Sequence, residues 1–353
     1  MREHGLTSRQ LSSVKTVLLG TLIAVSVAGC GGGSSSPAGM SAMAGINLPL
    51  AINQSNANAT AAEAIVMPAA LSVGSAAAVS AAPASMVPAV LRAIDRRVAE
   101  GMQPSANAAA VSAGTVTLSC ADGGSVTVVK STDGKTLTVT LADCSEAAGS
   151  SVNGTQTYTN FTLTTTSSSD SISANITDNL SIVVGALSFA ETGDYAFALS
   201  ANKAPNGAVT TVMFDLSGSR LSVSLSQSGT VSDSVTLTNF NFDFQEDQTV
   251  SPHQLYSSLS FALASSRLNG TFTVTTTQEI KQIVDPSEPR MYPYTGQVLI
   301  VGADSERLQV TILGDETFVP PAGEGQIELQ LDSGTGSFGA PTWLSWTTLT
   351  AAV

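Results

Sequence analysis

The chain has 353 residues, and its 12% of charged residues is about half the usual share of roughly a quarter. Its formal net charge of −13 argues against a nucleic-acid-binding protein, which needs clustered Lys and Arg to displace counterions. The only His residues are His4 and His253, which argues against multi-His metal sites and His-dependent catalytic triads.

Residues 1–29 predict a secretory signal peptide. Arg2, Arg9 and Lys15 give its start a positive charge, and residues 16–28 form an apolar stretch. This stretch has the length of a signal-peptide core and is too short for an ordinary membrane-spanning helix. The sequence therefore predicts export from the cytoplasm.

The signal peptide ends in Val27-Ala28-Gly29-Cys30. This ending resembles the bacterial lipobox, in which small residues precede a Cys that is acylated and begins the mature protein. The resemblance implies lipidation of Cys30, for example with palmitate, and two or three acyl chains make a stable anchor. Among Gram-negative lipoproteins an Asp after the Cys is associated with the inner membrane, so Gly31 favours the outer membrane. The alternative is ordinary signal cleavage near Gly29, with Cys30 incidental.

Residues 30–85 predict a lipidated Cys followed by a disordered tether. They are rich in Ala, Ser, Gly and Asn, and prolines interrupt them. Because the stretch has no periodic apolar face, we expect it not to pack on the rest of the chain. Short Ala-rich helices near residues 56–66 are the alternative.

Residues 86–114 predict a short helix and a linker. Val87, Leu91, Ile94 and Val98 recur at helical spacing, with charged residues off that stripe. We interpret this segment as a helix that packs on a sheet. The alternative is a basic helix that lies on anionic lipid.

Residues 115–353 predict one all-β domain. Apolar residues alternate with Thr and Ser, which gives each strand one buried face and one solvated face. We expect about fourteen strands in a large antiparallel meander that forms a curved sheet, a barrel or a sandwich. An aromatic share of 5% argues against a transmembrane barrel. The clearest runs lie at 116–120, 126–128, 137–141, 172–184, 195–199, 212–216, 221–225, 259–263, 272–274, 308–312, 327–331 and 343–346.

Turn signals separate these runs, because Asp-Gly and Asn-Gly pairs readily adopt the positive φ angles of tight hairpins. They are Asp122-Gly123-Gly124, Asp133-Gly134, Gly193-Asp194, Asn206-Gly207, Ser217-Gly218 and Asn269-Gly270.

Two further runs predict β-bulges. In residues 158–163 and 237–242, the apolar residues change parity at Asn160 and Asn239, respectively. An extra residue in a strand has this effect. The similarity of the two runs is consistent with an internal duplication or with chance resemblance among Thr-rich strands.

Cys120 and Cys144 predict a disulfide, because they form an even pair in an exported chain once Cys30 serves as the anchor. In a simple meander the first and third strands lie about 10 Å apart, too far for a disulfide. The segment Asp143-Cys144-Ser145 must therefore fold back over the end of the second strand.

The remaining His and acidic residues do not form a pattern that predicts a catalytic or metal-binding site. His253 lies near Glu246 and Asp247 and could act as a general base, but we interpret it as an exposed loop residue. A divalent ion held by Asp243, Glu246 and Asp247 is a second alternative to plain solvated charge. The carboxylates are scattered along the chain without a paired-acid constellation. We therefore predict no catalytic residue, no metal and no cofactor.

The segments from Cys120-Ala121-Asp122-Gly123-Gly124 to Asp143-Cys144, then Val152-Asn153-Gly154-Thr155, resemble an uncharacterised group of β-rich lipoproteins of Gram-negative bacteria. Its members pair a lipobox with a Cys…Gly-Gly…Cys hairpin, an Asn-Gly-Thr strand start and a C-terminal Trp strand, here residues 343–349. An acidic Asp-Gly repeat of the group is reduced here to Asp332, so a calcium loop, which needs several oxygen ligands, does not carry over.

These features predict an outer-membrane-anchored lipoprotein of the cell envelope that is not an enzyme. We expect a structural or interaction role, with the membrane as a partner through the lipid anchor and no nucleic-acid partner. The alternative is a module that carries an apolar or amphiphilic ligand on a curved β-sheet.

Overall fold

The protein is described by a computed structural model that covers residues 48–71, 114–145, 149–227, 230–284, 292–314 and 326–350. These ranges contain one sheet of fourteen antiparallel strands, in which every strand pairs with its neighbours along the chain. The predicted all-β meander is confirmed. Helix α1 (Ala57–Leu71) precedes the sheet and the short helix α2 (Trp346–Thr350) follows it. The strands are β1 (Gly114–Ser119), β2 (Ser125–Lys130), β3 (Leu137–Cys144), β4 (Ser150–Thr165), β5 (Ser169–Val184), β6 (Leu187–Lys203), β7 (Val209–Gln227), β8 (Thr230–Asp247), β9 (Gln254–Ser265), β10 (Gly270–Ile283), β11 (Thr295–Val301), β12 (Arg307–Leu313), β13 (Gln326–Asp332) and β14 (Thr342–Leu344).

The sheet is open and has two edges. Within the described ranges β1 pairs with β2 and β14 pairs with β13, and the two outer strands do not pair with each other. The middle strands β4 to β8 have 16 to 19 residues each. At ~3.3 Å per residue they span roughly 50–60 Å, so the sheet is tallest at its centre.

The inner face of the sheet is the face whose side chains are buried. Its apolar residues form one continuous cluster that extends from β2 to β13 and includes side chains of both helices. Aromatic contacts are concentrated at β8 and β9, where the ring of Phe242 lies 5.6 Å from that of Phe240 and 5.5 Å from that of Phe261. The alternation in the sequence therefore identifies the core face correctly.

Both predicted β-bulges are confirmed. Asn160 and Asn239 have φ angles of +55° and +49°. The pairing register shifts at these positions in β4 and in β8. Each Asn adopts the left-handed region that Asn tolerates, so the apolar residues on either side of it still point to the inner face.

Two predicted turns are wrong. Gly193 lies in the middle of β6 and Gly218 in the middle of β7, so the predicted strands 212–216 and 221–225 are parts of one strand. The Cβ atom of any other residue at Gly218 would lie 2.6 Å from the Phe240 ring. These glycines mark close approach between neighbouring strands. The expected number of strands is nevertheless right, because β11 was not among the predicted runs.

The prediction of a disordered tether over residues 30–85 is wrong for residues 48–71. Leu50, Ile52 and Ile65 are buried, and α1 contacts β12 and α2. Main-chain hydrogen bonds join Leu50 to Thr271 and to Ala303. Ala is the commonest residue of helix α1, and four of its Ala side chains lie in the core.

The C-terminal strand is shorter than the resemblance implies. Only residues 342–344 form β14, and Trp346 begins helix α2 because the Ser345 hydroxyl accepts a hydrogen bond from the amide of Thr348. Trp346 is buried and stacks on Tyr292, with 5.0 Å between the ring centroids. Trp343 remains 53% exposed. The predicted signal peptide, Cys30 and the predicted helix at 87–100 lie outside the described residues.

Candidate functional site

Cys120 and Cys144 form the predicted disulfide, with 5.4 Å between their Cα atoms. The chain folds back as expected: the amide of Ser145 donates to the Gly123 carbonyl, and that of Asp122 donates to the Ser145 carbonyl. Gly124 permits this contact, because a Cβ atom there would lie 2.1 Å from the Asp143 carbonyl oxygen. The disulfide therefore joins the end of β3 to the turn between β1 and β2.

Replacing both Cys120 and Cys144 with Ser should lower the free energy of unfolding by about 2–4 kcal/mol, the usual effect of removing a native disulfide. Urea unfolding of the variant and of the unchanged chain measures the difference. The double Ser variant under reducing conditions is the control, because dithiothreitol should destabilise only the unchanged chain. Equal midpoints for the two oxidised proteins would contradict the prediction.

His253 and the nearby acids do not form a common site. The His253 Nδ1 atom lies 3.6 Å from Glu246 Oε1, and the His side chain is half-buried rather than exposed. The Asp247 carboxylate accepts hydrogen bonds from Thr249, while Asp243 accepts from Asn241 and Ser258. No group of three His, Cys, Asp or Glu side chains suited to a metal ion occurs in the part of the chain that the structure describes.

Asp332 has a structural role. Its Oδ2 atom accepts hydrogen bonds from Arg307, and its Oδ1 atom accepts from the amides of Thr335 and Gly336. The Arg307 contact and these further donors lower the pKa of Asp332 to about 2. Both oxygens are therefore used to hold the loop that follows β13, as an Asx turn does.

The strongest cluster of chemically active groups lies on the inner face of the central strands. Asp178 of β5 and Glu191 of β6 are only 3% and 2% exposed. Asp178 pairs with Gly193 and Leu180 pairs with Glu191, so the two carboxyl groups are diagonal neighbours on one face. The prediction that acids occur only singly is wrong here.

Other polar groups surround this acid pair, Asp178 and Glu191. The Tyr195 hydroxyl donates to Asp178 Oδ2 over 3.0 Å. On β4 the Tyr158 hydroxyl donates to Gln156 Oε1 over 3.2 Å, and Gln156 pairs directly with Asp178 in the ladder. All these side chains are buried, so the cluster is a group of polar side chains surrounded by the apolar residues of the inner face.

Gly193 provides the space for the acid pair. A Cβ atom at this position would lie 3.0 Å from Asp178 Oδ1 and 2.9 Å from a methyl group of Leu221. The Asp178 carboxyl therefore occupies the volume that a side chain on β6 would otherwise fill. This close approach explains the glycine that the sequence pattern suggests is a turn.

Burial raises the pKa of both acids. For Glu191 the shift is large, because the neighbouring Asp178 charge also favours its protonated form. Burial also raises the pKa of Asp178, although the hydrogen bond from the Tyr195 hydroxyl opposes that shift. Burial and the neighbouring carboxyl group therefore both favour a protonated Glu191 side chain.

The chemistry open to this acid pair is proton exchange. Glu191 Oε1 and Oε2 and Asp178 Oδ1 are buried and have no hydrogen-bond partner among the described residues. A substrate could reach these atoms only if the strands separated, because the side chains are almost wholly buried. The fold therefore keeps the acid pair out of contact with substrates.

A shallow cavity of about 140 Å³ lies on the opposite, outer face, between β7 and β10. Its walls include Asp215, Asp243, Tyr256 and Glu279. Asp215 pairs directly with Asp243, and burial together with the Asp243 charge raises the pKa of Asp215. This cavity is acidic and too small for an acyl chain.

No helix among the described residues is long and apolar enough to cross a membrane. No protein-family model, no curated protein and no solved structure matches this chain.

Proposed function

We propose that the chain is a lipoprotein of the Gram-negative outer membrane, held by acyl groups on Cys30, with a structural or interaction role in the cell envelope. The signal peptide, the lipobox and Gly31 support anchoring. The contact between Cys120 and Cys144 supports export, because disulfides persist in oxidising compartments such as the periplasm.

The main observation that supports a structural role is that the protein's own side chains fill the inner face. The side chains that point to this face on the central strands are buried against one another. A carrier needs a cavity of roughly 300 Å³ or more, and a catalyst needs access to its reacting groups. The acid pair lacks that access, so we propose no catalytic role.

A second candidate, an apolar-ligand carrier, is supported by residues 48–65. This segment occupies the inner face at β10 to β12 through Leu50, Ile52 and Ile65. An amphiphilic molecule could take its place if the segment were displaced. The packed state described above favours the structural role over this alternative.

Replacing Cys30 with Ser should abolish lipid attachment and move the protein out of the membrane fraction, because the anchor is lost outright. Cells grown with labelled palmitate show the attachment, and membrane fractionation shows the location. The Cys120→Ser, Cys144→Ser double variant is the matched control, since it removes the other thiols and should keep the label. Labelled fatty acid on the Cys30→Ser protein would overturn the anchoring proposal.

A further inference from the structure

Residues 48–65, here called the N-terminal segment, are held to the sheet by three large apolar side chains and by main-chain hydrogen bonds of Leu48 and Leu50. Leu50, Ile52 and Ile65 are its large buried side chains, and the other buried apolar side chains of the segment are Ala. The free energy of burial scales with apolar area, so an Ala-rich surface contributes little per residue. A buried polar group on the Ala-rich surface of α1 can therefore change the strength of docking.

Glu63 is that group. It is 3% exposed on the docked side of α1, and its Oε1 atom accepts a hydrogen bond from the Ser265 hydroxyl over 3.0 Å. Its Oε2 atom is buried and has no hydrogen-bond partner. The charged groups that face it are Arg267, in the turn between β9 and β10, and Asp233 of β8, and their effects on Glu63 oppose each other.

We propose that protonated Glu63 strengthens docking of the N-terminal segment on the sheet, and that loss of this proton weakens docking and increases the fraction of released segment. An ionised carboxylate in this position would have one hydroxyl donor and one bare oxygen in an apolar site, which is costly. The protonated form needs less solvation, so it suits the docked state. Release would leave Gly270 and Gly302 of the sheet without the cover that Leu50 and Ile52 now provide.

The direction of the pH effect follows from the same contacts. Burial raises the pKa of Glu63 from 4.5 to about 7, against the smaller opposing effects of Ser265 and Arg267. The docked state therefore binds the proton more tightly than the released state. Docking is strongest below pH 4.5 and weakens as the pH rises to about 7. Each pH unit within this window changes the docking constant about tenfold.

Thiol labelling in the full chain tests the proposal. Ala61→Cys places a thiol on the buried side of α1, and Asn58→Cys places one on the exposed side of the same helix. The ratio of their maleimide labelling rates corrects for the effect of pH on thiol reactivity. Between pH 5 and pH 8 we expect the ratio of buried to exposed labelling to rise roughly 50- to 100-fold. In a Glu63→Gln background the ratio should stay constant.

Hydrogen exchange on the unsubstituted chain provides a second measurement that does not depend on new Cys residues. Amides of residues 57–65 should lose protection at pH 8 relative to those of β12, and Glu63→Gln should restore it. Glu279→Gln, on the exposed face of β10, is the matched control and should leave the pH effect unchanged. Equal protection at pH 5 and pH 8, or an equal loss in the Glu63→Gln chain, would overturn the proposal.

Discussion

Removal of residues 48–71 should lower the free energy of unfolding of the β-domain by on the order of 6 kcal/mol. The value follows from three large side chains, Leu50, Ile52 and Ile65, at about 1.5–3 kcal/mol each. A domain of ordinary stability, about 5–15 kcal/mol, would then be marginal and would expose apolar inner-face residues. A chain that begins at Met86 should therefore unfold at lower urea concentration and aggregate.

Urea unfolding followed by circular dichroism measures this effect. A chain that begins at Leu48 is the control, because it lacks the signal peptide and residues 31–47 but keeps the N-terminal segment. The unfolding midpoint of this control should match that of the mature protein. If the chains that begin at Leu48 and at Met86 unfold at the same midpoint, α1 contributes nothing to the core and the description of the inner face is wrong.

Replacing Glu191 with Gln should raise the free energy of unfolding above neutral pH by about 1–3 kcal/mol, the cost of a buried unpaired polar group. The raised pKa of Glu191 means that folding takes up a proton above pH 4.5, so stability falls as the pH rises from that value. Gln carries no proton to lose, and its amide can donate to the nearby Asp178 carboxyl group. The free energy of unfolding of the variant should therefore equal that of the unchanged chain at pH 4 and exceed it most at alkaline pH.

Unfolding midpoints from pH 4 to pH 9 test this prediction. Glu63 changes stability in the same direction, so the variant is compared with the unchanged chain at each pH. Glu279→Gln is the control, because its side chain lies on the exposed face of β10. A Glu191→Gln protein with the pH profile of the unchanged chain would show that Glu191 does not take up a proton on folding, and would contradict this prediction.

Much of the fold could be predicted because a strand places alternate side chains on opposite faces. The parity changes at Asn160 and Asn239 were readable for the same reason, since the apolar residues resume on the inner face after each bulge. The disulfide between Cys120 and Cys144 was predicted from an even Cys pair in a chain expected to be exported, and strand spacing then required the fold-back at Asp143-Cys144-Ser145. These features depend on local geometry, which a single sequence contains.

The acid pair could not be predicted because it depends on the register between two strands. Asp178 visibly interrupts an apolar run, and Glu191 shares the parity of Tyr195. Each signal is present in the sequence, but the two side chains become neighbours only if β6 continues through Gly193. If Gly193 is interpreted as a turn, Glu191 no longer belongs to the strand that pairs with Asp178. The packing contact at this glycine, rather than its conformational freedom, determines the local structure.

Helix α1 was only the alternative to a disordered tether, for a different reason. Its apolar residues are mostly Ala, which produce no stripe of large side chains along one face. Small residues still pack well where a helix lies close to a sheet, and the burial of Glu63 shows how closely α1 approaches. Hydrophobic periodicity detects large side chains, so an Ala-rich helix in the core resembles a linker.

Native mass spectrometry of the protein extracted from the membranes of a Gram-negative host tests the central claim most directly. We expect the mass of residues 30–353 with acyl groups on Cys30, two hydrogens fewer for the Cys120–Cys144 disulfide, and no further bound molecule. A chain that keeps its signal peptide or lacks acyl groups would contradict the anchoring. A stoichiometric, releasable lipid in addition to the acyl groups would contradict the packed structural role and favour the carrier.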